Sequence, residues 1–165
     1  MKGVQTCWWA VPLLAAAVIL VAGSIAGAQE KVSKDRVPAA SKARSDFMKS
    51  NAEEVKILTS VAKGEAPLDA KTVAAAEKVN ANSSELLSHF PAGSGDDVLP
   101  KDRAKAVIWK EWSKFTGLAD NFKKATGALV VAAKSGDVKE FNAKKDQVDQ
   151  ACGACHKSYR GDLKK

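Results

Sequence analysis

An all-α fold, an antiparallel up-down-up-down four-helix bundle, is the expectation for this 165-residue chain, and three features lead to it. Alanine and lysine dominate the composition, and both favour helix. No series of alternating Val/Ile/Thr runs marks the strands of a sandwich or barrel. Behind the N-terminus, four segments repeat apolar residues at helical spacing. Two short breaks and one moderate one separate them, and connections of that length make neighbouring helices antiparallel. An orthogonal helical array would show shorter helices of uneven length. An apolar share of 45% supplies a core for one ordinary domain and argues against wholesale disorder.

Residues 1–28 form a unit of their own. Lys2 precedes an apolar run from Cys7 to Ala22, and small residues lead to Ala26-Gly27-Ala28 before the polar Gln29-Glu30. This is the pattern of a secretory signal peptide with an A-x-A-like cleavage site. The run approaches spanning length, so an uncleaved anchor is the competing reading, but the Gly/Ser/Ala-rich end fits cleavage better. No twin-arginine pair precedes the run, and Cys7 stands at its start rather than after a lipoprotein box. The expected destination is the periplasm, with no stable membrane anchor after cleavage. Removing 1–28 leaves 137 residues and takes away only one charged side chain, Lys2, so the formal charge falls from +7 to +6. The processed chain keeps two cysteines, Cys152 and Cys155, two histidines, His89 and His156, and one methionine, Met48.

A polar lead at 29–38 ends at Pro38, which suits a first helical turn, and the bundle is expected over 39–165. Met48, Val55, Leu58 and Ala62 space a first helix from Ala39 to about Lys63, closed by Gly64 and barred from continuing by Pro67. Asp69 is a good N-cap for a second helix that runs through Val73, Ala76 and Leu86-Leu87 to about Ser88. His89 to Arg103, with Pro91, Gly93, Gly95 and Pro100, reads as a loop. The third helix is the clearest: Ile108, Phe115, Leu118, Phe122, Ala125, Leu129 and Ala132 follow a near-heptad pattern, ending near Lys134. Asp137 with Glu140 forms a capping-box signature for the fourth. Val138, Phe141, Val148, Cys152, Cys155 and Tyr159 make that helix's stripe, and Gly161 is expected to close it.

Cys152-Gly153-Ala154-Cys155-His156 is C-x-x-C-H, the attachment signature of c-type haem. Thiols at i and i+3 share one helical face and can add to the two vinyl groups of a porphyrin, while the next residue offers an imidazole to the iron. A Cys152–Cys155 disulfide would close too small a loop to stabilise much. A redox C-x-x-C pair belongs at a helix N-terminus, where the dipole lowers the thiol pKa, and this pair lies near a C-terminus. A zinc site would need a fourth ligand from His89 or a carboxylate. With one covalent haem c near the C-terminal end of the last helix, antiparallel packing brings three segments to the same end of the bundle. These are Met48, Leu86-Leu87-His89-Phe90 and Ile108-Trp109-Trp112.

From about residue 40 to 162 the sequence resembles the class II cytochromes c, the cytochrome c′ family. The resemblance rests on Cys152-Gly-Ala-Cys-His156-Lys-Ser-Tyr159-Arg160 at the extreme C-terminus, Phe90-Pro91-Ala92-Gly93-Ser94-Gly95 in the loop, Ala104-Lys105-Ala106-Val107-Ile108-Trp109 at the third helix start, and Arg44-Ser45-Asp46-Phe47-Met48 in the first helix. It implies a periplasmic four-helix bundle, often a homodimer, with His156 as proximal iron ligand, Arg160 beside its imidazole and Arg44 near the haem propionates. Plainer roles compete: Arg160 as a partner of the helix dipole, Arg44 as a solvated charge. Ser45 stands where the family commonly has Gln, and Ala106 where it often has Pro. The first departure bears on one propionate contact, and the second gives only a softer helix start.

Met48 admits two readings. As a sulfur ligand it would complete a six-coordinate His/Met iron with a raised reduction potential, which suits electron transfer with a redox partner protein. As a packing residue it would leave a five-coordinate iron able to bind nitric oxide or carbon monoxide; plain core filling is the ordinary use of such a methionine. His89, beside Phe90-Pro91 at a helix end, fits a surface or capping role better than a sixth ligand. No general acid/base pair falls in the expected pocket, so no enzymatic role is expected. A nucleic-acid partner does not suit an exported haem protein. The positive charge suits anionic or acidic partners, but the lysines are spread along every helix and mark no face.

Overall fold

The structure, a computed structural model, describes residues 31–162; the signal segment 1–28 lies outside them. Four long helices form the bundle: α1 (Val37–Ala62), α2 (Ala70–Glu85), α4 (Trp112–Ser135) and α5 (Val138–Tyr159). A single-turn helix, α3 (Val107–Lys110), precedes α4. Short 3-10 turns at Lys34–Arg36 and Leu86–His89 lead into α1 and extend α2.

The helix ends are set by local chemistry. Gly64 adopts φ +74° after α1, its N–H donating to Val61 O while Glu65 N–H donates to Ser60 O, the paired bonds of a Schellman cap. Asp69 makes a reciprocal capping box with Thr72 at the start of α2. Gly136, at φ +76°, ends α4. Asp137 then caps α5 by accepting from the Lys139 and Glu140 amides, at 2.9 and 3.0 Å. The capping box expected with Glu140 is only half formed, because the Asp137 amide donates to Ser135 Oγ instead.

Two other expectations are corrected. The third helix is not continuous from Ile108: Glu111 leaves helical geometry, at φ −115° and ψ 35°, and divides α3 from α4. Contacts on either side hold the break, since Trp109 Nε1 donates to Phe90 O and Tyr159 Oη donates to Glu111 Oε2. Nor does Gly161 close α5. Arg160 turns extended and pairs with Ala104, and the Gly161 amide donates to Arg103 O. The polar lead is likewise tied down, with the Val32 amide donating to Ala92 O in the loop.

The interior divides into two clusters along the bundle axis. Leu58, Val61, Ala76, Val79, Leu129, Phe141 and Val148 fill the end formed by the α1–α2 and α4–α5 turns. Leu86, Phe90, Ile108, Phe115 and Tyr159 fill the other end. A fully buried side chain of this size contributes about 1.5–3 kcal/mol. Cys152 packs against the first cluster and Cys155 against the second, so the thiols lie where the two meet. Thr126 Oγ1 donating to Asn80 Oδ1 ties α4 to α2 across the seam.

Candidate haem site

Between α1, α4, α5 and the loop after α2 lies a cavity of about 710 Å³, within the range of sites that hold organic cofactors. Cys152, Cys155 and His156 contribute to it from α5, Met48 from α1, Leu86 and Phe90 from the end of α2, Ile108 from α3 and Phe115, Leu118 and Phe122 from α4. Of the set that antiparallel connectivity brings to one end, Met48, Leu86, Phe90 and Ile108 line the cavity, while Leu87, Trp109 and Trp112 pack against the apolar cluster at that end and, with His89, stay outside the wall. Phe115 anchors its floor. Its ring lies 4.8 Å from Phe90, 5.6 Å from Trp112 and 5.4 Å edge-on from Tyr159.

Both thiols are free and half-buried. Burial pushes the Cys155 thiol up to about 11, and the neighbouring Cys152 adds to the effect. Cys152 is raised as well, first by burial and then by the Asp149 carboxylate. Such thiols are protonated at neutral pH, unlike the activated thiolate of a redox pair. His156 is shifted below its ordinary 6.5, first by burial and then by the charges of Arg160 and Arg103. Its imidazole is therefore neutral near pH 7, the form that ligates a metal.

Arg44 is neither solvated nor free. It is 5% exposed, and Nη1 donates to His89 O at 3.0 Å and Ser94 Oγ at 3.1 Å, while Nη2 donates to Ser94 O at 2.8 Å and Asp102 Oδ2 at 2.7 Å. Its guanidinium also stands 5.1 Å from the Phe90 ring centre, a cation–π contact. Asp102 returns the grip through Oδ1, which accepts from the Ala104 amide. Arg44 lines the cavity, but four of its five N–H donors already hold the loop. Lys49, Lys101, Arg103 and Arg160 also line it, with no ion-pair partner among the described residues. His89 stacks on Phe47 at 4.1 Å and is no part of the wall.

An apolar cavity of this size, two unbridged thiols one helical turn apart and a neutral imidazole beside them fit a covalently held haem. Comparison with known proteins agrees: the family model described as Cytochrome C′ matches residues 39–160. The chain belongs to the cytochrome c′ family. Cytochrome c′ of Pararhodospirillum photometricum is 30% identical over 117 residues, covering 71% of this chain and 92% of that protein. Cytochrome c-556 of Rhodopseudomonas palustris is 31% identical over 153 residues, 90% of this chain and 94% of that one. Among solved structures, a nitric oxide complex of a mutant cytochrome c prime from Alcaligenes xylosoxidans superposes with a TM-score of 0.70 at 28% identity, over 76% of this chain and 96% of that one. A carbon monoxide-bound variant of the same protein gives 0.69 at 27% identity, over 81% and 100%.

In this member of the cytochrome c′ family, the wall residues that sequence reasoning did not bring to the site include Asp102, Arg103 and Asp149. The loop pair carried no periodic signal. Asp149 is polar and half exposed, as a residue of the solvated face would be. No helix among the described residues is long and apolar enough to cross a membrane.

Proposed function

We propose that this chain is a periplasmic monohaem electron carrier, its haem c held as thioethers by Cys152 and Cys155, with His156 as proximal ligand and Met48 as distal ligand. The observation that carries the reading is the position of Met48. The only methionine of the processed chain lines the same cavity as both thiols and His156, from a different helix. The haem would supply a one-electron couple at its iron. The residues around it do the rest. His156, kept neutral by burial and by two arginine charges, offers a ring nitrogen without first losing a proton. Met48 offers a soft thioether, and a His/Met pair raises the reduction potential. Leu86, Phe90, Ile108, Phe115 and Phe122 exclude water and hold the dielectric low. Lys101 and Arg103 offer charges to the haem carboxylates, a role that the loop-bound Arg44 is less free to fill, Arg160 holds a charge beside the His156 imidazole, and Lys49 adds to the positive rim that suits an acidic redox partner.

A second reading, binding of nitric oxide or carbon monoxide at an open iron position, draws on two observations. The cavity that Met48 lines is also walled by Leu86, Phe90, Ile108, Phe115, Leu118 and Phe122, and solved structures similar to this one are described as nitric oxide and carbon monoxide complexes. In this reading Met48 is a steric gate. Absorption spectra of the oxidised and reduced holoprotein, with and without carbon monoxide, decide between the two. Low-spin bands unchanged by carbon monoxide, and converted to high-spin by Met48→Ala, establish the electron-carrier site. High-spin bands that shift with carbon monoxide overturn it in favour of gas binding.

A further inference from the structure

Among the described lysines, Lys145 alone is buried, with 2% of its surface exposed. It interrupts the apolar stripe of α5 that runs through Phe141, Val148 and Cys152. An ammonium in such a place keeps its charge only beside a partner. Lys145 Nζ donates to both carboxylate oxygens of Asp149, at 2.8 and 2.7 Å. Asp149, 53% exposed, forms part of the cavity wall three residues ahead of Cys152. The pair is thus a short dipole along α5, its cation packed inside and its anion at the cavity. Both charges reach the attachment residue, since the Asp149 carboxylate raises the Cys152 thiol and the Lys145 ammonium lowers it.

Stability gives little reason for this arrangement. Replacing buried, ion-paired charges by apolar side chains of similar volume is often neutral or stabilising, and here only the lysine is buried. We propose that the Lys145–Asp149 pair trims the reduction potential of the haem held by Cys152, Cys155 and His156, the buried ammonium favouring ferrous iron and the carboxylate ferric iron. The inference rests on the haem reading above, and holds whether the iron carries electrons or binds a gas. Reduction of ferric iron takes one electron from an external one-electron donor and no proton, so the charge of the site falls by one. A neighbouring cation stabilises the product, and a neighbouring anion opposes it. Seven residues of helix separate Lys145 from Cys152, about 10 Å. With an effective dielectric near 20, a unit charge at about that range changes a one-electron equilibrium roughly tenfold.

The test is a spectroelectrochemical titration of the haem-loaded protein and three variants: Lys145→Met, Asp149→Asn and the double substitution. Lys145→Met is expected to lower the potential by about tenfold in the equilibrium, or about 59 mV for one electron, and Asp149→Asn to raise it. The double variant returns close to the parent. Methionine fills the buried site without a charge, so Lys145→Met and the double variant carry the test even where the uncompensated ammonium of Asp149→Asn prevents folding. Lys134→Met, which removes a positive charge paired with Glu77 near the far end of α4, serves as a control and leaves the potential unchanged. Covalent haem in Lys145→Met with an unshifted potential overturns the proposal. Failure of the parent chain to take covalent haem overturns the haem reading instead, so the two failures are distinguishable.

Discussion

Arg44 and Asp102 form a buried ion pair, with side chains 7% and 3% exposed, that spans 58 residues of sequence and fastens the loop over the cavity. Substituting Asp102→Ala leaves the guanidinium without a counter-charge in the interior. Substituting Arg44→Met leaves the Asp102 carboxylate with only the Ala104 amide, and strips hydrogen bonds from His89 O and Ser94. Breaking a buried pair from either side costs about 3–5 kcal/mol, because the remaining charge stays desolvated. For a domain of this length, that corresponds to a fall of roughly 10 °C or more in Tm. The double substitution removes both charges, so its cost is expected to fall short of the sum of the singles by about 1–3 kcal/mol. Urea unfolding followed by far-UV circular dichroism on the holoprotein measures all three. The exposed Lys42–Asp46 pair on the same helix is the control, and its removal should leave the midpoint unchanged. Single variants costing under about 1 kcal/mol, the range of exposed pairs, or a strictly additive double, would refute the clamp.

Three further outcomes are expected. Cys152→Ala with Cys155→Ala abolishes covalent haem, and haem retained by that variant after acid-acetone extraction would count against the attachment site. Gly95→Ala places a Cβ against the Trp109 ring, which must shift and weaken the Trp109 Nε1 bond to Phe90 O; thermal melts should show a loss of about 1–3 kcal/mol. Asp69 lies below the ordinary 3.8 because its carboxylate accepts the Thr72 amide. Its contribution is therefore complete above that value and is lost as the pH falls through the lowered one. Asp69→Ala should be less stable than the parent at pH 7, and melts at descending pH should show the gap closing only below about 4.

The four long helices were legible because their caps and periods are local. Gly64, Asp69, Gly136 and Asp137 each act within a few residues. Part of the cavity wall, Met48, Leu86, Phe90 and Ile108, followed from connectivity once the thiols were placed on the last helix. The break at Glu111 was hidden because the apolar period runs straight through it, from Ile108 to Phe115, and glutamate is a good helix former; the partners that hold it, Phe90 and Tyr159, are distant in sequence. Arg44 read as a solvated or propionate-binding charge because its partner Asp102 lies in a loop without periodicity. Lys145 escaped for a related reason. A lysine amid apolar residues reads as the solvent side of a helix, and only packing shows that it points inward.

The seam where Ala104 meets Arg160 also governs how the cavity end comes apart. The Lys105 amide donates to Tyr159 O, the Gly161 amide donates to Arg103 O, and Arg103 Nε donates to Gly161 O. Hydrogen exchange at Lys105 and Gly161 thus reports a single opening event, although the two amides are remote along the chain. The last turn of α5, which carries His156, cannot fray independently as an ordinary helix terminus does. Its mobility is lent to it by the loop, and any partner that grips one of the two segments of that seam quiets the other.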